Sequence, residues 1–124
     1  MIDKAVKTIL LNYAGLTALV GDRIYPLIRT QGSEPPALTY QKISDSKKAA
    51  GTGIRTARFQ ISCIAATALQ ASTIAVQVKA AFDGKHETIS GVDVFNSFDE
   101  DASDFYDDET KLYRMPVDVM VDYK

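Results

Sequence analysis

The sequence predicts an α+β fold: a mainly antiparallel four-stranded sheet with two helices packed on one face, in the order α-β-β-α-β-β. Three observations carry this reading. Two segments repeat apolar residues every three or four positions, the period of a helix with one buried face. Several others alternate apolar and polar residues, the period of a half-buried strand. The connections between strands are of hairpin length, which favours antiparallel pairing.

Ile2, Ala5, Val6, Ile9, Leu10 and Tyr13 line one face of a first helix, which Gly15 is expected to interrupt and Gly21 to close after a further turn through Val20. Residues 26 to 36 read as a surface loop, because Pro35-Pro36 removes two backbone donors and forces an extended entry to the next segment. A first strand spans Ala37 to Ser44, and Ser46 to Gly53 reads as a basic flexible connection. In a second strand, Ala57, Phe59, Ile61 and Cys63 alternate with Arg58, Gln60 and Ser62, so these two strands form a long hairpin. A helix from Thr67 to Phe82 puts Ala71, Ile74, Ala75, Val78, Ala81 and Phe82 on one face, and Asp83-Gly84 ends it. Val92, Val94 and Phe98 mark a third strand, and Met115 to Tyr123 a fourth. Pro116 cannot donate to a ladder, which places the fourth strand at a sheet edge, or the proline at a strand start or bulge.

With 124 residues, 46% of them hydrophobic, the chain has the composition of one globular domain, residues 1–124. The formal net charge of -2 lacks the basic footprint of a duplex-binding module. One cysteine, Cys63, allows no intrachain disulfide, and with one histidine, His86, no ordinary Cys/His zinc site can be assembled. A reducing compartment is the simplest expectation. Charges among the first apolar residues do not fit a secretory signal, and no apolar run reaches the ~18 residues of a membrane span. A soluble protein without a membrane partner is expected.

Charge patterning is the strongest anomaly. Asp99, Glu100, Asp101, Asp104, Asp107, Asp108 and Glu109 place seven acidic groups together with no base among them, leaving nine acidic against fourteen basic residues elsewhere. The plain reading is a solvated loop joining strands three and four. An EF-hand is rejected, since Asp104 stands where the turn glycine belongs and Thr110 where a bidentate Glu is needed, although looser cation binding stays open. The other functional reading is association, with Lys47, Lys48, Arg55 and Arg58 of the hairpin as complements on another subunit in a head-to-tail contact, and Pro116 marking a contact edge. Cys63 lies on the apolar parity of its strand, as a buried small hydrophobe would, and His86 has no visible partner, so no catalytic constellation and no cofactor are expected. Gly51-Thr52-Gly53 lacks the rest of a phosphate loop. Phe95, Phe98, Phe105 and Tyr106 read as core anchors beside the acidic segment.

Two segments carry a family resemblance. Ala18 to Pro26, followed after a polar loop by Pro35-Pro36 and Ala37 to Ser44, resembles the N-terminal signature of the tail completion, or tail terminator, proteins of long-tailed bacteriophages and prophages. Ala57 to Cys63, Val78 to Phe82 and Val117 to Tyr123 resemble later parts of the same pattern; the acidic segment does not belong to it. The resemblance implies a non-enzymatic virion protein, made in the bacterial host cytoplasm, that assembles with itself as a ring, typically a hexamer. It implies a place at the head-proximal end of the tail tube, where the ring ends tube polymerisation and offers a surface for head-tail joining. The implied partners are the tail tube protein and the head connector or head-closure protein, with DNA only as passing cargo. Another neck adaptor, such as a head-closure or minor tail protein, remains an alternative. So do a small cytosolic metal- or Cys-dependent enzyme and a free-standing binding module.

Overall fold

A computed structural model describes residues 2–26, 35–47, 51–102, 105–107 and 112–124, with side chains except at 100–102 and 105–107. Helix α1 (Ile2–Asn12) buries Ile2, Ala5, Val6, Ile9 and Leu10, the face its apolar spacing dictates. The break falls at Tyr13 rather than Gly15, which lies inside α2 (Ala14–Val20). Gly21 closes α2 at φ +61°, donating its N–H to the Thr17 carbonyl at 2.8 Å. Helix α3 (Ala68–Ala81) starts where Thr67 Oγ1 accepts from the Gln70 N–H at 3.1 Å, an N-cap that satisfies one orphan donor.

The sheet corrects the four-stranded expectation. Among the described residues it has seven strands: β1 (Ile24–Pro26), β2 (Ala37–Lys47), β3 (Arg55–Ala65), β4 (Glu87–Ile89), β5 (Val92–Ala102), β6 (Phe105–Asp107) and β7 (Leu112–Tyr123). Six lie side by side in the order β1-β2-β3-β7-β5-β4, and β6 pairs with β7. The sheet is mixed, because β1 runs parallel to β2 while the other pairs are antiparallel. Among the described residues the helices number three, not two. The β2–β3 hairpin forms as expected, but β2 runs on through Ser46 and Lys47, residues assigned from sequence to the connection.

The two extra short strands have local causes. In β1, Ile24 is buried and pairs with Leu38, while the Arg23 carbonyl accepts from the Leu38 N–H at 2.9 Å. In β4, Ile89 faces Val92 across Ser90-Gly91, both at positive φ (51° and 79°), the backbone of a two-residue hairpin turn.

β7 is not an edge strand. It lies between β3 on one side and β5 with β6 on the other, and Pro116 is its fifth residue, buried opposite Ser62. The interior tolerates the proline because β7's pairing with β5 ends at Val117↔Ala102 and with β6 begins at Arg114↔Phe105. Among the described residues, Met115 and Pro116 therefore have no ladder partner on that flank.

The core joins the buried faces of the three helices to one parity of the strands, with Leu38, Phe59, Ile61, Cys63, Val117, Val119 and Val121 among its members. Burying such side chains contributes about 1.5–3 kcal/mol each before entropy is counted. Cys63 is buried as expected, and burial pushes its thiol up to about 12. It is thus neutral at physiological pH, and the folded protein is expected to leave it unmodified by a thiol reagent, with labelling appearing only across the denaturant transition; rapid native labelling would contradict this placement.

Candidate functional site

Two long strands are each covered over only part of their outer edge. β1 pairs with Leu38–Tyr40, and beyond it Gln41–Lys47 of β2 have β3 on one side and no ladder partner on the other among the described residues. The burial pattern changes at the same point, from four buried residues to a run of mainly exposed ones. On the opposite side of the sheet, β4 pairs with Val92–Val94 of β5, and the Gly84 N–H takes the Ser97 carbonyl at 2.9 Å. From Phe98 onward β5 has only β7 beside it among the described residues, and β6 continues along β7 in the same register.

Charge differs between these two stretches: Lys42 and Lys47 lie on β2 with Asp45 between them, and Asp99, Glu100, Asp101 and Asp107 lie along β5 and β6. The acidic segment is therefore largely strand at 99–102 and 105–107, which corrects the solvated-loop expectation there; Asp104, Asp108 and Glu109 lie outside the described residues, as does Lys48. Three strand spacings separate the edges, roughly 14 Å along the sheet, so the fold holds the two charge sets apart rather than pairing them within one chain.

The two hairpin arginines have carboxylate partners within the chain. Arg58 Nη2 donates to Asp118 Oδ2 at 2.6 Å on the sheet face turned away from the helices. On that face Thr56 Oγ1 also donates to Asp122 Oδ1 at 2.7 Å, and Arg114 Nε to Ser62 Oγ at 3.2 Å. Arg55 Nε donates to Asp45 Oδ1 at 2.9 Å, and the Tyr123 hydroxyl donates to Asp45 Oδ2 at 2.6 Å. Lys42 Nζ stands 3.8 Å from Asp45 and 3.6 Å from Asp3, which joins α1 to the same end of the sheet. Sequence reasoning missed Lys42 and Asp45; their position just past the apolar run Leu38–Tyr40 was the available signal.

Burial raises the Asp45 carboxyl, but hydrogen bonds from Tyr123 and Arg55, with the charges of Arg55 and Lys42, outweigh it and hold the group below its ordinary value of 3.8. Its contribution to stability is complete above that value and is lost as the pH falls through the lower folded-state one. Denaturant melts at pH 6 and pH 3 are expected to show a smaller acid-induced loss for Asp45→Asn than for wild type; equal losses would remove Asp45 from this role.

Other features place less chemistry. His86 is exposed and meets Phe95 edge-on, with ring centroids 6.4 Å apart. Phe95 and Phe98 are 38% and 41% exposed, so they are not the core anchors expected from sequence; Phe105 and Tyr106 have no described side chains. On α3, Leu69 and Val76 face outward at 79% and 59% exposure. Among the described residues no group of three or more His, Cys, Asp or Glu is placed to hold a metal ion, and no helix is long and apolar enough to cross a membrane.

The family model for tail completion protein gp17 matches residues 4–124. The chain belongs to that family. A tail completion protein is a phage tail structural protein, in keeping with a fold whose conspicuous features are strand edges and surface charge. A chain from a solved structure described as the virion of a native gene transfer agent (GTA) particle has the same fold, with a TM-score of 0.81 and 20% identity, covering 96% of this chain and 91% of that one. No curated protein matches the sequence.

Proposed function

We propose that this tail completion protein caps the head-proximal end of a phage tail tube as a ring, typically a hexamer, ending tube polymerisation and presenting the surface to which the head connector or head-closure protein joins. The observation that carries this reading is the family match over almost the whole chain. The similar fold in a gene transfer agent virion supports a place in a virion-like particle. The unlike charge of the β2 and β5–β6 stretches supports a ring, since a contact between unlike surfaces propagates head to tail and closes when the rotation per subunit allows. Subunit contact in this reading involves the basic residues Lys47, Lys48, Arg55 and Arg58, the acidic segment and the strand carrying Pro116. DNA passes as cargo, and the role is structural rather than catalytic.

Capping is tested by adding the purified protein to growing tail tubes and measuring tube length and end structure by electron microscopy. The expected result is shorter tubes bearing a ring at one end. Unrestricted growth with bare ends, together with binding to filled heads, would favour a head-closure protein instead. Salt separates two roles of the acidic segment: pairing with a neighbour predicts a ring weakened by salt, whereas carboxylates facing the lumen predict a ring unchanged or strengthened.

A further inference from the structure

We propose that free copies of this protein pair through the outer face of α3, two α3 helices lying antiparallel about a twofold axis. A twofold pair joins like surfaces whereas a ring joins unlike ones, so this contact stands apart from the ring reading.

α3 carries two apolar stripes. One of them, Ala71, Ile74, Ala75, Val78 and Ala81, is buried in the core. The other, Leu69, Thr73, Val76 and Ala80, is exposed along its whole length. Its steps of four, three and four residues match the 3.5-residue period by which paired helices keep one seam in contact. Exposed apolar residues scattered singly are ordinary, but here they repeat on a surface almost free of charge. Lys79 is the one charged residue on α2 and α3 together, in a chain of which 24% is charged. α2 borders the seam where Gly15 meets Gln77, so the flank on that side is uncharged too. A helix that is apolar all round belongs in a setting where both faces are covered. Covering this one leaves no side-chain group of the seam unsatisfied, because its single hydroxyl, Thr73 Oγ1, already donates to the Leu69 carbonyl at 2.9 Å.

The seam fits a second copy of itself. An axis passing midway between Ile74 and Ala75 sets Leu69 against Ala80 of the second copy, large against small, and Thr73 against Val76, two β-branched side chains of similar volume. On the flanks, Lys79 then lies across from Ser72 and Gln70 across from Gln77, so no like charges meet. The two Lys79 residues stand roughly 13 Å apart along the helices, more than a Debye length in physiological salt. A parallel pair in register would set Leu69 on Leu69 and Ala80 on Ala80, crowding one end and leaving a gap at the other, with the two helix dipoles aligned. Area limits the strength of the pair: α3 has 14 residues, and a helix of roughly 21 Å offers less than the ~800 Å² per partner of a stable complex. Half-association is therefore expected between about 10 μM and 1 mM, a contact that other assemblies displace readily.

The test is sedimentation of the wild-type protein from about 1 μM to 1 mM at low and high salt. The mass is expected to rise from one subunit to two, and to do so in high salt as well, because the seam holds no ion pair for salt to screen. Val76→Glu is expected to weaken pairing at least about tenfold with an unchanged thermal melt, since the residue is on the surface. Under oxidised glutathione, a mixture of Thr73→Cys and Val76→Cys proteins is expected to form the mixed disulfide faster than either variant links to itself. A monomer throughout, a pair that survives Val76→Glu, or equal rates of self-linking overturns the antiparallel α3 contact. So does a monomer whose α3 face becomes protected only on tail tubes, which assigns that face to another virion protein. A monomer that still caps tubes overturns the pair and leaves the ring reading standing, whereas a pair that never caps them supports this contact and overturns the ring reading.

Discussion

Phe59→Ala is expected to lower stability by about 3–5 kcal/mol, seen as a fall in the urea midpoint with little change in slope. Phe59 is fully buried on β3, opposite Val119 of β7 and level with Lys42 of β2, and it is among the largest fully buried side chains of the chain. Its removal leaves a cavity between the sheet and the helices, under a β3 that is held by ladders on both sides and cannot move to close it. Domains of this size are stable by only about 5–15 kcal/mol, so the variant sits near the folding threshold. The measurement belongs in high salt at low concentration, where association does not add to stability. A loss below about 1 kcal/mol would mean that β3 and β7 are not packed as described.

Ser97→Ala is expected to cost about 1–3 kcal/mol, because it leaves buried partners unsatisfied rather than because it removes volume. Ser97 is 1% exposed; its hydroxyl donates to the Phe82 carbonyl and accepts from the Lys85 N–H at 3.2 Å, while its own carbonyl takes the Gly84 N–H. One side chain thus closes the end of α3 and fixes the turn that covers this part of β5. Circular dichroism and hydrogen exchange are expected to show fraying confined to the end of α3 and to residues 82–85. Unchanged stability would mean that water or another group serves those partners.

What the residues disclosed depended on the length over which a local period persists. α1 and β3 repeat their pattern across two or more turns or alternations, and the burial of Ile2, Val6 and Leu10, and of Ala57, Phe59, Ile61 and Cys63, obeys it. β1 is three residues long, too short for any period, and its pairing with β2 is a long-range event. β4 could have been found, since Ser90-Gly91 between Ile89 and Val92 is a two-residue turn signal. The place of β7 was not legible, because strand order is absent from local sequence and Pro116 argued for an edge. The acidic segment was visible as charge but not as strand, for Asp and Glu disfavour strands and only the β7 ladder overrides that preference. The two charged edges were therefore half legible: which residues carry the charge could be read, but which edge each occupies could not.

The central position of β7 also orders events in time. β3 and β5 reach one another only through a strand made after both, so during synthesis the hairpin of β2 and β3 waits with one flank unpaired until residue 123 has emerged. At about 5–20 residues per second, that wait from Ala65 lasts several seconds, long compared with the microseconds in which a hairpin forms. Folding of the sheet is thus deferred until β7 is available, and a ribosome stalled before β7 holds an apolar strand exposed to chaperones and to other nascent copies.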